Sequence, residues 1–320
     1  MSDLIQHRTV LLPSQIIQNA GSKAEERFIE FFVAQIRNPN TRLAYYRSVL
    51  ELMNWAESVG IEDVRLIQPV HVATWVEDIS KRYSVSSVKQ KLAAVKMLFD
   101  WLVTGQIIPT NPANSVKSPR QSIQKGKTPV LDPSEARKLL SSINTQSLVG
   151  LRDRAIIGTM LYTFARIGAV LSMKVEDVFI QNRRLWVRLH EKGGKLHDMP
   201  CHHELEVWLD EYLEKTRLRK DSDGWLFRCW DRKTGCFGNE KLPQANAYAM
   251  VKRRARKARI KTRITNHTFR ATGITAYLLN NGTLEAAAKM ANHASTRTTQ
   301  LYDRRNDQVT ISEVERIRFE

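Results

Sequence analysis

The sequence predicts a mainly α protein with a small antiparallel sheet, built as a helical amino-terminal domain and a second, α+β domain. At 320 residues, 42% of them hydrophobic, the chain is long enough for two domains that each bury a core. Apolar residues recur at helical spacing through residues 23–107. Short strand-like segments lie between residues 178 and 199, inside a second helical region.

The charge balance indicates a polyanionic partner. The chain has 50 Lys and Arg against 33 Asp and Glu, which gives a net charge of +17 and a pI near 9.9. This surplus favours nucleic acid over a membrane surface, although a basic surface that only aids solubility is the alternative. The most apolar run, residues 155–165, is far shorter than the roughly 20 residues that span a bilayer. Residues 1–20 also lack the pattern of a secretory signal.

The three cysteines argue against a disulfide scaffold or a zinc ribbon. Cys201, Cys229 and Cys236 form no Cys-x-x-Cys pair, which is typical of a protein from a reducing cytosol. Cys201 is followed by His202 and His203, but adjacent residues in a strand or turn point apart. We therefore predict no metal site there.

The amino-terminal region predicts one compact helical unit. Residues 1–22 carry no convincing pattern and are interpreted as an arm. Residues 23–107 contain four apolar-periodic segments joined by short loops. Turn and capping residues place the segments from Lys23 to the break at Asn38-Pro39, from near Thr41 to Gly60, from Pro69, and from Ser86 or Ser87 to Gly105.

Basic residues on this unit and after it are candidates for DNA contact. A solvated helix face is the ordinary interpretation of such charges, and contact with the DNA backbone is the alternative. Residues 108–129 are interpreted as a linker because they contain proline and polar residues without periodicity, and they carry no acid. An acid-free basic linker is better explained by a nearby polyanion than by chance. The candidates are Arg42, Arg47, Lys89, Lys91 and Lys96 on the second and fourth helices, and Lys117 and Arg120 in the linker.

The second domain, residues 130–306, begins with a capped helix at Asp132-Pro133-Ser134-Glu135. A long apolar helix is predicted from Asp153 to Ala165, followed by Arg166. Residues 178–180, 184–189 and 196–199 are predicted strands, and residues 203–216 a further amphipathic helix. Gly193-Gly194 forms a tight turn flanked by Lys192 and Lys195. Lysines at a hairpin tip ordinarily serve solubility.

Residues 252–263 carry the strongest local indication of DNA binding. They include eight positive side chains and no acid. A stripe of small residues, Ala247, Val251, Ala255 and Ala258, predicts a helix packed on one side and cationic on the other. Such charges repel one another unless an anion lies opposite. The candidate contacts are Lys252, Arg253, Arg254 and Arg256.

The carboxy-terminal part contains a set of residues suited to a phosphodiester. His267 and Arg270 lie three apart in a predicted helix and so share a face, and His293 and Tyr302 follow. Arginine offers a planar fork of donors to phosphate oxygens. Imidazole can donate to the phosphate or move a proton, and a phenol can attack phosphorus. The spacing predicts phosphoryl chemistry on DNA.

In these residues the chain closely resembles the tyrosine recombinases, the phage integrase family of site-specific DNA recombinases. That family's second motif, His-x-x-Arg, Gly-His and Tyr, stands here as residues 267–270, Asn292-His293 and Tyr302. Its first motif, Tyr-Thr-x-x-Arg, stands as residues 162–166, and its hairpin lysine as Lys192. The resemblance spans about residues 25–306. It implies a helical core-binding domain and a catalytic domain that form a C-shaped clamp on DNA.

The resemblance also implies a mechanism. Arg166 and Arg270 would clamp the non-bridging phosphate oxygens, and His293 would donate a further hydrogen bond. A tyrosine has a pKa near ~10, so attack by Tyr302 requires proton removal, for which His267 is the candidate base. Lys192 would protonate the leaving 5′-oxygen, with Lys195 as the fallback. The product would be a 3′-phosphotyrosine and a free 5′-hydroxyl.

The expected partners follow from the same resemblance. They are double-stranded DNA target sites, three further copies of the chain in a tetramer on two duplexes, and possible accessory proteins. Side-chain cations would supply the positive charge, so no metal or other cofactor is expected. The protein is expected in the cytoplasm of a bacterium, associated with the nucleoid and encoded by the host, a phage or a mobile element.

Three positions depart from the family pattern. The acid often found three residues after the first arginine is Ala169, which leaves open how Arg166 is braced. The histidine that commonly follows the second arginine is Ala271, and the glycine before the second histidine is Asn292. None of the three removes a residue that makes or breaks a bond.

Several alternatives remain open at this level. The protein could relax DNA on one duplex as a type IB topoisomerase does, resolve hairpin telomeres, or bind DNA without chemistry. The tail, residues 307–320, carries Val309, Ile311, Val314 and Ile317 and could dock on a neighbouring protomer or pack on its own domain.

Overall fold

The computed structural model describes residues 12–120, 126, 128–191, 193–305 and 314–317. These residues are mainly helical and include two small antiparallel sheets, so the predicted fold class is confirmed. Within the described part of the chain, no helix is both long and apolar enough to cross a membrane.

The chain divides into two compact units, Met1–Ser122 and Ile123–Glu320. The first unit is helical, and one helix continues into a single turn of π-helix, Phe31–Gln35. Its helices are α1 (Gln15–Gln18), α2 (Ser22–Glu30), α3 (Pro39–Ser58), α4 (Pro69–Arg82) and α5 (Val85–Thr104).

Capping side chains set where the helices of the first unit begin. The Asn38 carboxamide accepts hydrogen bonds from the backbone N–H groups of Asn40 and Thr41, so α3 starts at Pro39, slightly before the predicted residue. The Ser84 hydroxyl accepts from the backbone of Ser87, so the cap of α5 lies upstream of the predicted serines. The third helix begins at Pro69, as predicted.

The core of the first unit takes in two segments that the sequence assigned elsewhere. Ile16 and Ile17, within the predicted arm, are fully buried, whereas residues 1–11 lie outside the described part. Ile108, Ala113 and Val116, within the predicted linker, are buried in the same core. A pair of isoleucines or isolated apolar residues between prolines is too short a pattern to reveal such packing.

The second unit combines helices with a three-stranded and a two-stranded sheet. The three strands run antiparallel in the order β1-β2-β3, and the later two strands form a separate hairpin. In chain order the elements are α6 (Pro133–Ser141), α7 (Leu148–Tyr162), α8 (Ile167–Leu171), β1 (Val178–Gln181), β2 (Arg184–His190), β3 (Leu196–Pro200), α9 (His203–Thr216), β4 (Arg228–Asp231), β5 (Cys236–Lys241), α10 (Gln244–Lys257), α11 (Asn266–Leu279), α12 (Leu284–Met290) and α13 (Thr296–Gln300).

The apolar helix α7 is displaced towards the amino terminus from its predicted bounds. The Ser147 hydroxyl caps it by accepting from the backbone of Gly150, which starts the helix before Asp153. It ends at Tyr162 because Phe164 adopts a left-handed conformation, with φ of 54°. Arg166 therefore lies at the start of α8 rather than at the end of α7.

In the second unit one further prediction is corrected, and one hairpin was missed. The basic helix α10 ends at Lys257 instead of continuing to residue 263, because Arg259 adopts a left-handed conformation with φ of 51°. The β4–β5 hairpin was not predicted, because its strands are short and partly exposed and lack a clear alternation. Residues 203–216, by contrast, form α9 as predicted.

Candidate active site

Arg270 is buried and held by two backbone carbonyls. It lies on α11 and is buried. Its Nη1 donates to the Phe164 carbonyl and its Nη2 to the Ala291 carbonyl at 2.6 Å, which ties α11 to the turn before α8 and to the end of α12. Burial, and then the neighbouring Arg166, lower the pKa of Arg270 to about 10, so the side chain stays protonated at neutral pH.

Arg166 projects from the start of α8 and is partly open to solvent. Its Nη1 donates to Oε2 of Glu191 at 2.7 Å. The Arg166 side chain is 40% exposed, whereas that of Glu191 is 3% exposed. Ala169, where the family often carries an acid, is buried and cannot form this bond. The carboxylate that contacts Arg166 therefore comes from Glu191, directly after β2.

The pKa values of both histidines are lowered, which favours their neutral forms. Burial lowers the pKa of His267, and the charges of Arg270 and Arg166 lower it further. The same causes, burial first, lower the pKa of His293 to about 4. The Nδ1 atom of His293 lies 2.8 Å from the Thr299 hydroxyl, so Nε2 is the nitrogen that could reach a phosphate.

Tyr302 lies beside both His293 and Arg270. Its ring is nearly parallel to the His293 ring, with centroids 6.1 Å apart. Electrostatic interaction of its side chain with Arg270 raises the pKa of that guanidinium. Its backbone carbonyl accepts from the Thr275 hydroxyl at 2.9 Å, which ties the segment after α13 to α11. Five of the six predicted catalytic residues thus meet in the second unit.

The sixth, Lys192, lies outside the described residues. The hairpin around it is described: the backbone N–H of Glu191 donates to the Lys195 carbonyl at 2.8 Å. Gly193 and Gly194 have φ of 83° and 75°, a conformation that glycine adopts readily. The predicted tight turn therefore lies next to the carboxylate that contacts Arg166.

One departure from the family pattern, at Asn292, has a local explanation, and another, at Ala271, lies in the core. Asn292 has φ of 47°, and asparagine tolerates this left-handed conformation better than most residues, so it can stand where the family has glycine. Ala271 is fully buried within α11, beside the guanidinium-bearing Arg270.

The basic residues on α10 do not all face solvent. Lys252, Arg253 and Arg256 are exposed. Arg254 instead donates from Nε and Nη2 to Oδ2 of the fully buried Asp153, at 2.9 and 2.7 Å. The structure therefore corrects the prediction for Arg254, because its charge is used to fasten α10 to α7.

The other predicted DNA contacts fall into two groups. Arg42 donates to the Ile36 carbonyl, Lys91 to Glu51 at 2.5 Å, and Lys96 to the Asn114 carbonyl at 3.4 Å. The remainder are exposed: Arg47, Lys89, Lys117, Arg120 and Lys195.

The side chains of Cys201 and His202 take part in packing. The His202 ring stacks on Tyr162, with centroids 4.3 Å apart, and Cys201 is buried, which raises the pKa of its thiol to about 12. Within the described ranges, no three His, Cys, Asp or Glu side chains are grouped as a metal site would need.

Glu191 is the site residue that the sequence interpretation missed. Two features could have indicated it: an acid directly before the predicted hairpin lysine, and the missing acid at Ala169. Neither feature shows that the two positions serve the same arginine, because that depends on how β2 packs beside α8.

Comparison with known proteins identifies the family of the chain. Residues 129–309 match the phage integrase family, and residues 26–106 match the phage integrase N-terminal SAM-like domain. The tyrosine recombinase XerC of Yersinia pestis is 27% identical over 280 residues, covering 87% of this chain and 88% of that protein. XerC of Escherichia coli O127:H6 is 24% identical over 283 residues, covering 87% and 90%.

Solved structures share the fold. The XerH site-specific recombinase bound to palindromic difH substrate, a post-cleavage complex, aligns with a TM-score of 0.70 at 19% identity, covering 95% of this chain and 90% of that chain. A lambda integrase tetramer bound to a Holliday junction aligns with a TM-score of 0.65 at 14% identity, covering 89% and 79%. Because the family match covers more than half of its length, the chain belongs to the phage integrase family of tyrosine recombinases, enzymes that cleave and rejoin DNA.

Proposed function

We propose that this protein is a site-specific recombinase that cleaves and rejoins duplex DNA through a covalent bond between Tyr302 and a 3′-phosphate. The observation that carries the proposal is the meeting of Arg166, Arg270, His267, His293 and Tyr302 in one unit. Two arginines beside a phenol and two neutral imidazoles can hold a phosphodiester and move its protons.

The two arginines have complementary tasks in this proposal. Arg270 is fixed by two backbone carbonyls and buried, so it offers a preorganised positive charge to the scissile phosphate. Arg166 keeps much of its guanidinium exposed while Glu191 holds one edge. Together they would bind the non-bridging oxygens and stabilise the charge that develops on them in the pentacovalent transition state.

The proposed proton transfers balance the reaction. The Tyr302 oxygen forms a bond to phosphorus while the bond from phosphorus to the 5′-oxygen breaks. The phenolic proton passes to His267, which can accept it because its lowered pKa leaves it neutral. Lys192 gives a proton to the leaving 5′-oxygen, with Lys195 as the fallback. His293 donates to a phosphate oxygen.

Rejoining follows by the reverse path. The phosphotyrosine link retains a phosphoester bond, so attack by a 5′-hydroxyl from the partner duplex restores DNA without ATP. Arginine and lysine side chains supply the positive charge, so the proposed reaction requires no metal or other cofactor.

The exposed basic residues are proposed to bind the DNA backbone. Phosphate contacts give affinity and register but carry no sequence information directly. Arg42, Lys91 and Lys96 would have to exchange their intramolecular acceptors for phosphate oxygens. Arg254 is omitted. The exposed set is Arg47, Lys89, Lys117, Arg120, Lys195, Lys252, Arg253 and Arg256.

We propose strand exchange in a tetramer on two duplexes, in the bacterial cytoplasm and with possible accessory proteins. The lambda integrase structure is a tetramer on a Holliday junction, which supports this assembly. Val314 and Ile317, in the described part of the tail, are exposed, so the tail has apolar side chains free to dock. The second unit also has an apolar cleft of about 1570 Å³, lined by Tyr162, Trp208 and others, which could receive such a tail in cis or in trans.

The test uses nicked half-sites made from DNA that flanks the gene, incubated with the full chain. We expect a covalent protein–DNA product at the 3′ end, and after proteolysis a peptide containing Tyr302 linked to DNA. Tyr302→Phe should bind the same DNA and form no product, because it lacks the attacking oxygen.

The product also separates the alternatives. Linkage at the 5′ end, or undiminished linkage by Tyr302→Phe, would refute the proposed chemistry. Relaxation of supercoils by monomers without partner exchange would favour a type IB topoisomerase-like activity. Hairpin ends would favour a telomere resolvase, and binding without any linkage would leave only a DNA-binding protein.

A further inference from the structure

The brace of Arg166 is the feature of this site that its family motif does not explain. Three residues after Arg166 the chain has Ala169, whose methyl group accepts no hydrogen bond. An arginine side chain without a fixed partner can rotate about several bonds, so it would lose conformational entropy when it binds a phosphate. A fixed partner removes much of that loss before DNA arrives.

Glu191 provides such a partner. It follows directly after β2, and its backbone N–H donates to the Lys195 carbonyl at 2.8 Å, which closes the hairpin. Its carboxylate is buried and bonded to Arg166 Nη1 at 2.7 Å. A buried carboxylate is strongly unfavourable without a charged or hydrogen-bonding partner, so this pair constrains both side chains.

The carboxylate acts on more than one cation of the site. It raises the pKa of Arg270 and so opposes the repulsion between the two guanidinium groups.

We propose that Glu191 is the positioning residue for Arg166, in place of the acid missing at Ala169. The inference rests on the proposed function and extends it. Glu191 does not contact the reacting atoms in this scheme. It acts by presenting the free edge of Arg166 towards the phosphate.

The experiment measures the rate of covalent linkage on a nicked half-site at saturating protein, for the full chain. Glu191→Ala should slow linkage by about tenfold or more, because small misplacement of a catalytic group can cost up to about 100-fold. Glu191→Gln keeps an acceptor but loses the charge, and it should fall between Ala and the wild type. DNA affinity, measured separately by gel shift, should change less than about twofold, since many other cations contact the backbone.

A control lies on the same hairpin. Asp198 on β3 is bonded to Arg188 on β2 by two hydrogen bonds of 2.8 and 2.9 Å, in an exposed pair. Asp198→Ala also removes an arginine–carboxylate pair of this hairpin, but away from Arg166, and should leave the linkage rate unchanged. Urea unfolding of each variant reports whether the fold is intact.

A second substitution that restores the rate would distinguish a role of Glu191 in positioning Arg166 from a general role in the structure of the hairpin. In Glu191→Ala the space beside Arg166 is partly emptied, so Ala169→Glu in that background can supply a carboxylate from α8. The double variant should recover at least about threefold of the lost rate, because a brace from either element orients the same arginine.

Two results would overturn the inference: a wild-type rate for Glu191→Ala, or a slow Glu191→Ala that the glutamate at position 169 does not speed up. Neither result contradicts the proposed function, provided that the wild type forms a 3′ link that Tyr302→Phe abolishes. Failure of the wild type to form any link would instead refute the proposed function itself.

Discussion

Replacing Gly273 by alanine would force two helices of the second unit apart. A Cβ atom at this position on α11 would lie 2.1 Å from the Leu161 carbonyl oxygen on α7, and 2.8 and 2.9 Å from two ring carbons of Phe164. The first of these neighbours is backbone inside a helix, so it cannot turn aside as a flexible side chain could. Relief therefore requires α11 to move by about 1 Å, to restore an ordinary carbon–oxygen separation.

Two opposing terms decide the size of the effect. Alanine in place of glycine favours a helix by about 1 kcal/mol. Overpacking in a dense core costs about 1–3 kcal/mol, and contact with a fixed carbonyl belongs at the upper end. We therefore expect a net loss of about 2 kcal/mol in the free energy of unfolding. DNA linkage should also slow, because Arg270 lies one turn before Gly273 on the same helix and donates to the Phe164 carbonyl.

The assay is equilibrium unfolding in urea followed by the linkage rate of the surviving fold. Gly168→Ala is the matched control, since a Cβ there meets nothing within 4 Å and the residue lies in α8 with no left-handed φ. It should be neutral or stabilise by up to about 1 kcal/mol. A Gly273→Ala variant as stable as the wild type, or one that loses no more than Gly168→Ala, would refute the packing argument.

Two other predictions concern buried charge and pH. Asp153→Ala should lower the free energy of unfolding by about 3–5 kcal/mol, because it leaves the charges of Arg152 and Arg254 without the buried carboxylate that pairs with them. Removing the exposed Asp198 should lower it by less than about 1 kcal/mol in the same urea titration, and equal losses would contradict the assigned burial. The pKa of His293 is lowered from 6.5 to about 4 on folding, so between these pH values the unfolded chain binds the proton more readily. The contribution of His293 to the stability of the DNA-free protein should therefore be complete above about pH 6.5 and be lost as the pH falls from there to about 4, so His293→Gln should show a shallower fall over this range. Identical pH slopes for the two proteins would show that His293 does not titrate in this way.

The sequence alone predicted the elements whose patterns are local and repeated. The helix at residues 203–216 and the start of α4 at Pro69 were predicted because apolar spacing and capping residues act within a few positions of one another. The strands β1, β2 and β3 were recognisable as short apolar runs, the last two of them separated by the Gly193-Gly194 turn. The positions missed, such as Phe164 and Ile16, depend on a single backbone conformation or on packing against distant residues.

The candidate site divides in the same way. The residue types and their order along the chain indicated Arg166, His267, Arg270, His293 and Tyr302, since phosphoryl chemistry needs those groups and the family motif orders them. What the sequence by itself determined was therefore the chemistry that the chain carries.

The supports of that chemistry were decided by tertiary structure. The brace of Arg166 lies 25 residues away in the chain, and a carbonyl that holds Arg270 lies 106 residues away. Asp153, which accepts a hydrogen bond from Arg254 and so keeps it off the exposed basic face of α10, lies 101 residues away. Spacing patterns report only neighbours along one helix or strand, whereas these bonds exist because separate elements pack their buried charges together.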